Sequence, residues 1–192
     1  PVFRENARDD LHCFEACVAM VLETIRPGRV YSLEELAIIG GKRPKGWTWP
    51  MRLATWLVGQ GFEVVMEDAF DYPAFAAEGQ LYLERIFGKD VAEIQVSHAN
   101  IPDEQAATPP FIEAVQPLRV IPTQARMKEL LDQGYLLICT VNPRVLEHKD
   151  GYSSHAILVY AKDERAFSAQ DPGLPPLRAQ QIPFELFERA WA

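Results

Sequence analysis

Basic side chains are in deficit in this sequence, and no apolar run is long. Lys and Arg number 19 against 27 Asp and Glu, giving a formal net charge of −8 at pH 7. A surface of that sign repels polyphosphate, so nucleic acid is not an expected partner. The strongest apolar run, Tyr135 to Val141, is far shorter than the roughly 20 residues that a membrane-spanning helix needs. We therefore expect no membrane insertion.

Cysteine is also scarce. Three cysteines in 192 residues cannot build a disulfide scaffold, and no charged and apolar leader precedes Arg4. We therefore expect a reducing, cytoplasmic setting. The length and the 48% of hydrophobic residues predict one domain spanning residues 1–192, and no feature of the composition specifies an oligomeric state.

Helical patterns dominate the first half of the chain. Residues 13–25 are apolar on nearly every side, which predicts a central helix surrounded by protein, with Asp9 and Asp10 as caps and Pro27-Gly28 as its end. The prolines between residues 95 and 122 predict loops with short helical pieces. The other predicted helices are Leu33 to Ile39, Met51 to Gln60, Tyr72 to Phe87, Thr123 to Gln133 and Pro183 to Trp191.

Strand patterns follow in the last third. Tyr135 to Val141 predicts an interior strand, while Ala156 to Tyr160 and Ala166 to Ala169 predict a hairpin around residues 162–164. Helices followed by an antiparallel sheet indicate an α+β fold.

Cys13 is the candidate nucleophile. It stands at the start of the predicted central helix, where unpaired backbone N–H groups and the helix dipole stabilise a thiolate. The alternative is that Cys13 is a small apolar core residue, because free cysteine is among the most buried residue types. Cys17 and Cys139 lie within apolar segments, and we interpret both as core residues.

His155 is the candidate general base, because it opens a predicted strand whose end can present the ring at the edge of a sheet. His98 and His148 lie in polar or charged segments and are interpreted as solvated. His12 adjoins Cys13, but neighbouring residues on a helix point about 100° apart, so its ring is poorly aimed at that sulfur.

Asp171 is the candidate carboxylate that would complete a set of nucleophile, base and carboxylate. A three-residue hairpin loop at 162–164 would pair His155 with Asp171, whose carboxylate would accept a hydrogen bond from Nδ1 of the ring and orient it. A two-residue loop would turn Asp171 to the other face, so the pairing needs an odd loop or a bulge. Asp-Pro-Gly is also ordinary turn chemistry, which explains an aspartate here without any catalytic role.

These segments together resemble a known family. The strings LHCFEACVAMVLE, KELLDQGYLLICTVN, SSHAILVY, SAQDPG and PFELFERAW, in this order, resemble the papain-like cysteine peptidase domains that process bacteriocin precursors. The resemblance implies a papain-like fold, with a helical half whose central buried helix packs on an antiparallel sheet. It also implies a nucleophile at Cys13, a base at His155, an orienting carboxylate at Asp171, and a peptide or small amide as substrate, with no cofactor.

The sequence departs from that family beside the nucleophile. Family members usually carry Asp-Cys-Gly with an upstream glutamine that helps to hold the oxyanion, whereas this chain has His12-Cys13-Phe14 and no glutamine before Gln60. Asn6 has the same amide chemistry, so we predict that it forms the oxyanion hole with the Cys13 backbone N–H. Losing one such donor typically costs about 10²- to 10³-fold in rate.

Three alternatives remain open at this stage. An acyl or amide transferase would use the same Cys13 thioester with an amine as acceptor. A peptidase-like binding domain without turnover would explain the absent glutamine. Cys13 and Cys17 share a helix face that suits zinc, with His12 and His155 as further ligands, but paired metal-binding knuckles are absent, so no metal site is predicted.

Overall fold

A computed structural model describes residues 1–191, and its fold is mixed α+β. Contacts within the chain define two compact units. One unit combines Pro1–Leu33 with Thr123–Ala192, and the other is Glu34–Pro122. Within the described residues, no helix has both the length and the apolar character needed to cross a bilayer.

The regular elements of residues 1–191 number ten helices and six strands. The helices are α1 Cys13–Ile25, α2 Leu33–Ile39, α3 Pro50–Gly59, α4 Tyr72–Glu78, α5 Gln80–Phe87, α6 Lys89–His98, α7 Ile101–Val115, α8 Gln124–Asp132, α9 Pro143–Leu146 and α10 Phe184–Ala190. The strands are β1 Glu67–Asp68, β2 Leu118–Arg119, β3 Leu137–Val141, β4 His155–Lys162, β5 Ala166–Asp171 and β6 Leu177–Pro183.

The first unit is built on a four-stranded antiparallel sheet in the order β3-β4-β5-β6. The prediction that β3 is interior is wrong, because β3 pairs with β4 on one side, and on the other side the described residues provide only a bridge from Val141 to Trp191. Its apolar character comes from burial against helices on both faces, which an edge strand can also have. The strand β6 was not predicted, since most of its side chains are exposed and lack a clear alternation.

Helix α1 is the buried helix that its sequence predicts. Cys17 and Met20 pack against Ala156 and Leu158 of β4, on one face of the sheet. The opposite face forms a second apolar layer with α8 and α10, which includes Met127, Ile157, Val159, Phe167, Ala169, Ile182 and Phe187. A helix that is apolar on nearly every side is stable only when protein surrounds it, and here all residues from Ala16 to Met20 are fully buried.

The second unit is mainly helical, with an aromatic core. Trp49 stacks on Phe75 with ring centroids 5.1 Å apart, and Phe70 and Tyr82 contact the same cluster. His98 is half-buried and stacks on Trp47 at 4.2 Å, so its interpretation as a solvated side chain is wrong.

Two helix predictions in this unit are also wrong. A single helix from Tyr72 to Phe87 is interrupted at Gly79, which adopts a φ of 56°. The proline-rich stretch contains α7, a 15-residue helix, instead of loops. Pro102 lies in its first turn, where no backbone N–H is needed, while Pro109 and Pro110 lie inside it. The buried Phe111 next to them packs in the aromatic core, and this tertiary contact compensates for the two lost backbone hydrogen bonds.

Candidate active site

Cys13 is the first residue of α1 and is partly exposed. The N-cap residue is His12, which has no side-chain capping bond, so the prediction that Asp9 and Asp10 cap the helix is wrong. Their carboxylates accept instead from Leu11 N–H and from the Asn6 side chain. Cys13 thus combines a place in the first turn of α1, where backbone N–H groups lack partners within the helix, with a partly exposed side chain.

His155 is the first residue of β4, where it pairs with Val141 of β3. Its Nε2 atom lies 2.6 Å from Oδ1 of Asp171, and both side chains are nearly buried, with 12% and 11% exposed. The predicted contact between the carboxylate and the ring is present, but it is made through Nε2, so the expectation of a bond to Nδ1 is wrong. The Cys13 thiol lies near enough to the ring to act on its ionisation. Because Nε2 is engaged by Asp171, Nδ1 is the ring nitrogen available to the thiol.

The strand register that brings His155 and Asp171 together differs from the predicted one. Close to the turn, Ala161 pairs with Ser168, and beyond a bulge Val159 pairs with Ala169. The predicted direct pairing of His155 with Asp171 is therefore wrong by two residues. Side chains along a strand point alternately to the two faces of the sheet. An offset of two residues therefore leaves Asp171 in the same alternating set of strand positions as His155, the set that points to one face. Without the bulge the offset would be odd, and the carboxylate would point to the other face.

The surroundings of the His155 ring shift its pKa. Burial by itself lowers the pKa of His155, but hydrogen bonds and charge interactions with Asp171 and Cys13 outweigh it and raise that pKa to about 10. The ring is therefore held as an imidazolium at neutral pH. An imidazolium beside a thiol is the arrangement that favours a thiolate and supplies a proton to a leaving group.

Gly173 supports the carboxylate in a way that the sequence analysis missed. Its backbone N–H donates to Oδ1 of Asp171 at 2.8 Å, the oxygen that also contacts His155. A Cβ atom at this position would lie 3.0 Å from that oxygen and 3.2 Å from Nε2 of the ring. Glycine is thus the residue that leaves room for the pair. The Asp-Pro-Gly string was the available signal, but its glycine was interpreted only as part of a turn.

Asn6 lies beside the nucleophile segment and is 8% exposed. Its Oδ1 accepts from the backbone N–H of His12 at 2.7 Å, and its Nδ2 donates one hydrogen to Asp10 at 2.8 Å. An amide nitrogen carries two hydrogens, so one remains for another acceptor. Its role as an oxyanion donor stays a prediction.

The remaining cysteines and histidines lie outside this constellation. Cys17 is fully buried and directs its sulfur to Ala156 O, and Cys139 is buried in β3. Burial raises the pKa of Cys17 and raises that of Cys139 to about 12, in keeping with core roles. His12 faces Asp9 and Glu15, and His148 is exposed. The described part of the chain contains no cluster of three or more His, Cys, Asp or Glu suited to a metal ion.

The chain matches no known protein family, and no curated protein matches it in sequence.

Proposed function

We propose that the protein is a cysteine-dependent hydrolase with a papain-like fold, which cleaves a peptide or small amide bond through a thioester. The observation that carries the proposal is the meeting of three side chains: His155 hydrogen-bonds to Asp171 at 2.6 Å, and the Cys13 thiol is near enough to raise the pKa of the ring. A buried helix packed on an antiparallel sheet, with the nucleophile at its first residue, supports the papain-like assignment.

The first half of the reaction forms the thioester. The Cys13 thiolate attacks the carbonyl carbon of the scissile amide, and the carbonyl oxygen takes the negative charge. The backbone N–H of Cys13 and the second Nδ2 hydrogen of Asn6 are the proposed donors to that oxygen. When the carbon–nitrogen bond breaks, the His155 imidazolium transfers its proton to the leaving amine.

The second half releases the acid. Neutral His155 takes a proton from a water molecule, whose oxygen attacks the thioester carbon. The carbon–sulfur bond then breaks, the carboxylic acid leaves, and the thiolate and imidazolium are restored. Asp171 holds the ring in one orientation and stabilises its positive charge during both halves. Proton transfers by His155 suffice, so the proposed chemistry needs no cofactor.

Selective alkylation tests the nucleophile. We expect iodoacetamide at pH 6 to modify Cys13 at least about 10-fold faster than Cys17 and Cys139, because burial raises the pKa of the other two thiols. Mass spectrometry of the native protein locates the modified residue, and Cys139→Ala serves as a matched control. Equal, slow modification of all three cysteines would count against a catalytic Cys13.

Turnover tests the reaction class. A library of peptides and small amides is incubated with the wild type and with Cys13→Ala, and products are identified by mass spectrometry. Hydrolysis gives a free carboxylic acid, whereas transfer to an added amine gives a new amide. A wild-type protein that binds library members without converting any of them would favour a binding domain.

A further inference from the structure

Asn6 makes contacts that its proposed oxyanion role does not use. Its backbone N–H donates to the carbonyl oxygen of Pro172 at 2.8 Å. Its Oδ1 accepts from the backbone N–H groups of His12 at 2.7 Å and of Ala7 at 2.8 Å. One residue thus hydrogen-bonds to the backbone N–H of the residue before Cys13 and to the carbonyl oxygen of the residue after Asp171.

We propose that Asn6 is a positioning residue, which fixes the start of the nucleophile helix relative to the turn that carries Asp171. This inference rests on the proposed function, because it assigns Asn6 a second task in the same site. The Asn6 side chain is buried, so its hydrogen bonds to the backbone are shielded from water.

The two groups whose segments Asn6 connects are far apart in the chain. Cys13 and Asp171 are 158 positions apart in sequence and lie on different elements, α1 and β5. Displacing reacting groups by about 1 Å can cost about 10²-fold in rate. A residue bonded to both segments limits such displacement. The hydrogen bond from Asn6 Nδ2 to Asp10, at 2.8 Å, fixes the orientation of the amide.

Two variants separate positioning from oxyanion binding. Asn6→Ala removes the acceptor for His12 N–H as well as the amide donor. The double variant Asn6→Asp/Asp10→Asn exchanges the two side chains, so position 6 still accepts from His12 and Ala7 and position 10 now donates to it. The net charge is unchanged, and the amide donor at position 6 is lost.

The readouts are the rate of Cys13 alkylation by iodoacetamide at pH 6 and the NMR titration of His155. We expect Asn6→Ala to slow alkylation by about 10- to 100-fold and to lower the midpoint of the His155 titration. The double variant should stay within about twofold of the wild type in alkylation. Turnover should fall in both variants, because both lack the oxyanion donor. A wild-type alkylation rate in Asn6→Ala, or equally slow alkylation in the two variants, would overturn the inference.

Amide hydrogen exchange of the wild type supplies a test that needs neither turnover nor a folded Asn6→Ala variant. We expect the backbone N–H groups of Asn6 and His12 to be protected about 10²-fold or more against exchange. Rapid exchange at both positions would overturn the positioning role even if Cys13 is catalytic. Protection at both positions, together with a Cys13 no more reactive than Cys17, would instead contradict the proposed function alone.

Discussion

Each of the two units buries a carboxyl group, and the surroundings of these groups differ. In the first unit, Oδ1 of Asp171 accepts hydrogen bonds from His155 and from Gly173. In the second unit, Glu104 is 2% exposed on α7, and its Oε2 makes no hydrogen bond within residues 1–191. Arg52 is the cation that acts on Glu104, but its Nη2 donates to the backbone oxygen of Asp103.

The comparison shows that two opposite environments can both raise a pKa. Burial raises the pKa of Glu104 to about 7, with Arg52 opposing and Asp103 adding to the shift. In the first unit, opposite charges raise the pKa of His155 to about 10 against the effect of burial. Oε2 of Glu104 has no hydrogen bond among the described residues, so burial of this carboxyl costs stability, whereas interactions with Asp171 and Cys13 offset the burial of His155. The partners distinguish the two cases.

Removing the carboxylate of Asp171 should have the largest effect on kcat. We expect Asp171→Ala to lower kcat by about 10³-fold, because the ring loses both its orientation and the charge that stabilises the imidazolium. The kcat of Asp171→Asn should lie between those of Asp171→Ala and the wild type, because the amide oxygen still accepts a hydrogen bond from Nε2. Steady-state kinetics on a substrate from the amide library measures both. Glu104→Gln is the control, and a comparable loss in that variant would remove the distinction between the two carboxyl groups.

Neutralising Glu104 should instead change stability. A glutamate side chain in water has an ordinary pKa of 4.5, whereas the pKa of Glu104 in the folded state is about 7, so the folded state binds the proton more tightly. Stability from this group is present below pH 4.5 and is lost as the pH rises through 7. We expect Glu104→Gln to raise the free energy of unfolding by about 3 kcal/mol at pH 8, with little change at pH 4.

Urea unfolding at the two pH values measures this difference. Glu113→Gln, at an exposed position on the same helix, is the control and should change stability by less than about 0.5 kcal/mol. An equal gain from Glu104→Gln at both pH values would show that Glu104 does not titrate between them.

Crowding the pair formed by Asp171 and His155 should have the smallest effect on kcat. In Gly173→Ala the new Cβ would lie 3.0 to 3.3 Å from the carboxylate and the ring, so the pair must shift by a few tenths of an ångström. We expect kcat to fall by about 10-fold, with the NMR signal of His155 displaced. Gly59→Ala is the matched control, because an added Cβ there meets nothing within 4 Å. Unchanged turnover and an unchanged His155 signal in Gly173→Ala would show that the pair tolerates crowding.

Predictions from the sequence succeeded where local pattern decides structure. The bounds of α1 and α2 agree with the predicted ranges, since an apolar helix between clear stop signals needs no further information. The predicted helix across Gly79 and the predicted loops around Pro109 failed. There, backbone conformation and packing outweigh the periodic signal. The single domain, the enzymatic activity and the roles of Cys13, His155, Asp171 and Asn6 stay predictions.

The order and chemistry of the segments were determined by the sequence alone: an apolar helix beginning at Cys13, a strand beginning at His155 and an Asp-Pro-Gly turn after the next strand. Tertiary structure decided that His155 hydrogen-bonds to Asp171 through Nε2 and that a bulge near Tyr160 keeps both residues in the same alternating set of strand positions. It also decided that Asn6 hydrogen-bonds both to the segment before Cys13 and to the segment after Asp171. The physical reason is that side-chain type is local, whereas strand register and hydrogen bonds between distant segments depend on how the whole chain packs.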